Sequence, residues 1–311
     1  MSRAPRGLLA ALRELPPAAG SVVMATAILS VGLETVGRRV LSVIALVLAI
    51  VLWVVLAGDF VHRLLGQRAR FRTEASTPAA LNAVAASAVL GTRLATVARG
   101  VPAEALLATA AAVWPFLLVS VIDRWTRGMP GGVFLVCVAT EGLAVLSAVL
   151  GAAHHLRWLS TAALALFVLG LLLYCVALPR FDPRQIRTGA GDHWIFGGAL
   201  AICALAGSKL TSAPFWTGAP HSVLRTATLV LFGVVLALYA VLAAAEVRWP
   251  RPHYDFRRWA TVFPLGMGAV ASMSIATATG VRGLHTLGAV LLWAGVAAWL
   301  LTASGLITHR T

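Results

Sequence analysis

Glu141 is the only charged residue in the long apolar stretch between Arg127 and Arg157. A charged side chain at the centre of a membrane-spanning helix costs about 2.5–3.5 kcal/mol even on lenient insertion scales. A carboxyl there is expected to be neutral for at least part of any working cycle. Held so, Glu141 could relay a proton coupled to anion movement, or donate a hydrogen bond to a passing anion. A carboxylate that stayed charged in a pore would repel anions. The competing account is a structural carboxyl bonded to a neighbouring helix.

A second constellation lies at Arg257-Arg258-Trp259-Ala260-Thr261-Val262-Phe263-Pro264-Leu265-Gly266-Met267-Gly268. Pro264 has no N–H for the carbonyl of Ala260, and its ring crowds that turn, so a helix here is expected to kink or loosen. In hydrocarbon the freed carbonyl needs protein or water beside it, which predicts an interior helix. The helical face carrying Phe263 continues through Gly266, Met267, Val270, Ser274 and Thr277. A bulky ring on a face of small residues could plug a narrow pathway; ordinary packing is the alternative.

Cationic residues form a third group. Arg93 and Lys209 close two apolar spans at the end where Arg38, Arg39, Arg157 and Arg282 occupy the loops, and together they could make a positive vestibule that concentrates anions. Arg124, Arg127, Arg187, Arg257 and Arg258 could do the same at the opposite mouth, although orientation signalling accounts for most of them. His154 and His155 stand side by side without a third ligand and suit a surface loop. Cys137, Cys175 and Cys203 all fall in apolar runs with no CxxC or His spacing, which predicts buried thiols, no metal and no cofactor.

The elements that must position these residues are set by composition. The chain is 59% hydrophobic and 12% charged, with a mean hydropathy of +0.88. These values place it among integral membrane proteins. The formal charge of +14 is dispersed between apolar runs rather than clustered with exposed aromatics, which argues against nucleic acid. No cleaved signal is expected, because the N-terminal apolar stretch 7–12 is short and is followed by Arg13 and Glu14.

Apolar runs long enough to cross about 30 Å of hydrocarbon fall at 17–33, 40–60, 78–97, 102–122, 131–152, 157–178, 193–210, 222–245, 259–280 and 284–307. The expectation is an all-α integral membrane protein, residues 1–311 forming a single ten-helix domain with tails 1–16 and 308–311. Lys and Arg concentrate in the tails and in the loops after even-numbered spans, which places both termini in the cytoplasm of a cell inner or plasma membrane.

Odd and even spans differ in kind. The first carries Gly20, Ser21, Thr26, Ser30 and Gly32; the third Asn82, Ser87, Gly91 and Arg93; the fifth Thr140, Glu141, Gly142 and Ser147; the seventh Gly197, Gly198, Gly207 and Lys209. The ninth has Gly266, Gly268, Ser272 and Ser274, whereas even spans, the tenth excepted, are more uniformly greasy. Small residues let helices approach closely and polar ones avoid lipid. Five helical hairpins therefore pack around an axis, odd helices inside and even helices outside, with Thr26, Glu141, Gly266, Met267, Val270 and Ser274 expected along the central pore.

Three passages resemble the tellurite-resistance/dicarboxylate transporter family, which includes the plant slow anion channels and malic acid transporters. They are Leu15-Pro16-Pro17 with Val23-Met24-Ala25-Thr26-Ala27-Ile28-Leu29-Ser30, the stretch from Pro130 through Val138-Ala139-Thr140-Glu141-Gly142-Leu143, and Phe263-Pro264-Leu265-Gly266 with Ala269-Val270-Ala271-Ser272. The resemblance implies five hairpins about a pore, a homotrimer with one pore per subunit, transport of small anions or C4-dicarboxylates, and a pore-plugging phenylalanine that Phe263 matches. The family often kinks several odd helices with proline; here only the ninth is clearly interrupted. A polytopic lipid enzyme is the rival class, but the sequence holds no paired Asp motif, Gly-x-Ser-x-Gly or His-Glu-x-x-His.

Overall fold

The structure, a computed structural model, describes residues 19–97, 100–251 and 254–308. The expected tail 1–16, with Pro16 and Pro17, lies outside the described residues, as do the last three residues of the expected tail 308–311. Ten long helices run through the described chain: α1 (Gly20–Thr35), α2 (Arg39–Gly66), α3 (Asn82–Val97), α4 (Val101–Ile122) and α5 (Leu135–Ala153). They continue with α6 (Arg157–Ala177), α7 (Ile195–Thr211), α8 (Ala219–Arg248), α9 (Trp259–Thr279) and α10 (Gly283–Thr308). Among the described residues nine are long and apolar enough to span a membrane, and α1 is a shorter apolar helix of 16 residues.

The odd helices form a closed ring: α1 packs on α3, α3 on α5, α5 on α7, α7 on α9, and α9 returns to α1. Each even helix packs on the helix before it and also touches the next member of the ring. Burial follows this arrangement. In their most apolar stretches α3, α5, α7 and α9 bury 61–94% of residues, against 17–33% for the even helices. Exposed Val43, Val47, Val51 and Val54 on α2 and Leu172 and Val176 on α6 face outward, as lipid-facing residues must. The inner helices can lie this close because small residues meet at their contacts: Gly142 of α5 stands on Ala88 of α3, and Gly198 of α7 on the Pro264 ring of α9.

The backbone repeats five times although the sequence similarity of the hairpins is faint. Short 3-10 turns at Pro78–Leu81, Gly131–Phe134, Asp192–Trp194 and Phe256–Arg258 open α3, α5, α7 and α9. Among the described residues, each connection from an inner helix to its outer partner holds one residue of positive φ: Gly37, Gly100, His155, Gly218 and Gly280 in turn. The left-handed region suits glycine, and among the described residues His155 is the one that has positive φ with a side chain.

Three expectations change. The second span extends to Gly66 and is followed by a short helix, Arg68–Ala75, whose Phe71 is buried while Arg63 is held by Asp59 and Glu74. The ninth helix is unbroken through Pro264. Pro264 lies only one turn and a half into it, so the single bond lost is that to the carbonyl of Ala260, and Gly198 leaves room for the ring. Cys175 is exposed on the outer face of α6, while Cys137 and Cys203 are buried. A single cysteine on an outer helix can face lipid at little cost.

Candidate functional site

The inner ring encloses a cavity of about 250 Å³ toward the C-terminal ends of its helices. All five inner helices contribute to the wall: Val31 and Glu34 from α1, Val89 and Arg93 from α3, Gly142 and Val145 from α5, Leu205 and Lys209 from α7, Met267 and Val270 from α9. The wall is apolar apart from a few groups near the helix ends.

Those groups set its charge. Arg93, 3% exposed, donates from Nη2 to Glu34 Oε2 at 2.8 Å and to Ser42 Oγ at 2.9 Å, from Nε to Ser30 Oγ at 3.1 Å, and from Nη1 to Thr96 Oγ1 at 2.7 Å. Ser30 and Ser42 also exchange bonds to each other's carbonyls, both at 2.7 Å, which clasps α1 to α2. Arg93 is thus tied into the wall and largely neutralised by Glu34. Lys209, the single lysine of the chain, makes no ion pair among the described residues. Two cations against one acid leave the cavity with one uncompensated positive charge, carried by Lys209.

Phe263 lies on the same face of α9 as Met267 and Val270, one turn before Met267. Two turns from the cavity-lining Val31, Val145 and Val270, the same helical faces present Met24, Val138 and Phe263, none more than 2% exposed. Phe263 thus lies in the packed core beyond the cavity wall rather than in its lining. Next to it, Pro264 seats on Gly198, and its carbonyl accepts a bond from the Tyr239 hydroxyl of α8.

Other sequence-predicted residues lie elsewhere. Thr26 turns away from the cavity: its hydroxyl accepts from Trp299 Nε1 of α10 at 3.0 Å and donates to the Val22 carbonyl. Gly266 packs against Ile28 and Leu29 of α1. Ser274 binds Ser208 across the α7–α9 contact at 2.8 Å, beside Lys209 but outside the cavity wall. Glu141 is fully buried and faces α6, where its carboxyl carbon lies 2.7 Å from the point that a Cβ on Gly170 would occupy. Its neighbour Gly142 lines the cavity in its place, because consecutive helical residues point about 100° apart.

Arg258 belongs to the opposite end and is ion-paired there. Glu246 bridges Arg258 Nη1 at 2.6 Å and Arg251 Nη1 at 2.7 Å, and Arg258 also donates to the Arg251 carbonyl. It is not grouped with Arg93 and Lys209. Sequence reasoning passed over Glu34 and Glu246, the acids that pair with Arg93 and Arg258. Their signal is an acid at the end of a span whose neighbouring spans end in arginine.

A five-hairpin membrane protein with a net-positive cavity inside its inner ring has the construction of an anion channel or transporter. A family model described as SLAC1, voltage-dependent anion channel, matches residues 14–307, and the chain belongs to that family. Its members are channels or transporters rather than enzymes. No curated protein matches the chain.

Proposed function

We propose that the chain conducts small anions along the axis of its inner ring, with Phe263 and Pro264 forming the gate and Lys209 drawing anions into the cavity. What supports this reading is that Phe263 is buried on the helical face of Met267 and Val270, one turn before the first of these cavity-lining residues. A side chain that must move for the path to open is best placed on the axis and at its narrowest level.

The family resemblance favours C4-dicarboxylates. One uncompensated cation in an otherwise apolar wall supports a small monoanion at least as well, since a dianion would bring one charge without a partner. Passive conduction is favoured over proton coupling through Glu141, whose carboxyl stands behind the wall formed by Gly142. The pathway belongs to one subunit of a homotrimer in a cell membrane, both termini facing the cytoplasm and the Lys209 end facing outward, as loop charge and resemblance imply.

Reconstitution into liposomes tests this. Phe263→Ala is expected to raise chloride and malate flux at least several-fold over a slow wild type. Equal flux in both proteins, with the variant correctly folded, overturns the gate.

A further inference from the structure

Apart from the cavity, the inner ring brings together two cysteines and an acid that lie far apart in sequence. Cys137 and Glu141 are one turn apart on α5 and share a face. Cys203 of α7 meets them, and the two sulfurs and a carboxylate oxygen all fall within 4.8 Å of one another. All three residues are fully buried. From the other side Gly170 of α6, lacking a side chain, leaves the space that the carboxyl of Glu141 fills.

Two features distinguish this cluster from ordinary packing. The sulfurs are 3.6 Å apart, and two ligands at about 2.3 Å from one tetrahedral zinc-like ion stand about 3.8 Å from each other. Apart from the Cys203 thiol, itself a member of the cluster, neither carboxyl oxygen of Glu141 has a hydrogen-bond partner among the described residues. A buried carboxyl so poorly partnered is costly, and its presence calls for a ligand. The thiols alone would not: Cys203 donates to the Ala199 carbonyl at 3.0 Å.

We propose that Cys137, Glu141 and Cys203 form a buried binding site for a thiophilic divalent cation of the zinc and cadmium type. The two cysteines supply thiolate sulfur and Glu141 a carboxylate oxygen, since ligands of these kinds bind such an ion deprotonated. Binding replaces the protons of the three ligands, which leave to solvent, so metal affinity falls as pH is lowered. Sulfur donors select against calcium and magnesium, which need oxygen cages. An occupied site pins α5 to α7 one residue behind the cavity wall. The inference is independent of the transport reading.

The test uses the full chain carrying Cys175→Ala, purified in detergent under reductant, so that Cys137 and Cys203 are the only thiols left. After equilibration with Cd²⁺ and removal of excess, about one cadmium per chain and a thiolate-to-cadmium charge-transfer band are expected. Adding Cys203→Ala should abolish the band, and Glu141→Ala should weaken binding by at least about tenfold. Absence of the band in the Cys175→Ala protein overturns the site, as does a band that survives Cys203→Ala. A Cys137–Cys203 disulfide found in the reduced preparation also overturns it. If Cys203→Ala fails to fold, the band in the Cys175→Ala protein still decides, because no other sulfur ligand of that kind remains.

Discussion

The guanidinium of Arg93 meets the carboxylate of Glu34 at 2.8 Å on the cavity wall, joining α3 to α1 while cancelling most of the positive charge that Arg93 brings. Arg93→Ala should remove that link together with the bonds to Ser30, Ser42 and Thr96, and leave Glu34 facing the path alone. Glu34 is 40% exposed, so solvent tempers the cost, and a loss of about 1–3 kcal/mol is expected. The variant should show a lower Tm in detergent and a lower anion flux. Glu34→Gln should act in the opposite direction on flux; a decrease there would refute the electrostatic account.

Lys209 supplies the remaining positive charge, and attraction of this kind acts on local anion concentration. Lys209→Gln should lower chloride entry several-fold at about 0.01 M salt. The difference should shrink toward about 0.15 M as the Debye length contracts to about 8 Å. Flux insensitive to both the substitution and the salt would show that this residue plays no part in capture.

Glu141 stands behind Gly142 and touches Gly170 of the outer α6. Passive conduction therefore predicts that Glu141→Gln leaves any response of anion flux to an imposed pH gradient unchanged. The measurement is paired liposome assays with and without the gradient. A gradient response present in the wild type and lost in the variant would establish proton coupling through this carboxyl.

Asp255 caps the turn that opens α9, its carboxylate accepting from Arg257 N at 2.8 Å, Nε at 3.1 Å and Nη2 at 3.0 Å. The Arg257 side chain holds this carboxyl below the ordinary aspartate value. A group lowered in the folded state stabilises fully above its unfolded value of about 3.9, and that share is lost as pH falls through the folded one. Asp255→Asn keeps the cap but loses the ionic bonds to Arg257, and should lower Tm at pH 7 slightly, as for a half-exposed pair worth at most about 1 kcal/mol. The gap between the two proteins should close in acid, and a gap that widened there would reverse the assignment.

Much of the architecture could be read from the chain alone, because span length and small-residue content are local properties. Runs of apolar residues had to cross the hydrocarbon, and segments bearing Gly, Ser and Thr had to avoid lipid, so odd helices inside and even helices outside followed without knowledge of any contact. The positions of Met267 and Val270 on the Phe263 face followed in the same way from helical spacing.

Rotation about each helix axis and contacts between distant helices were decided only by the tertiary structure. One step along a helix turns a side chain through about 100°, so composition could not tell whether Glu141 or Gly142 faces the cavity, nor that Thr26 would turn to Trp299. Nor could it show that Glu34 and Glu246 pair with Arg93 and Arg258 while Lys209 has no ion pair among the described residues, or that Cys137 and Cys203 meet. Those relationships join residues that only the closing of the ring brings within reach.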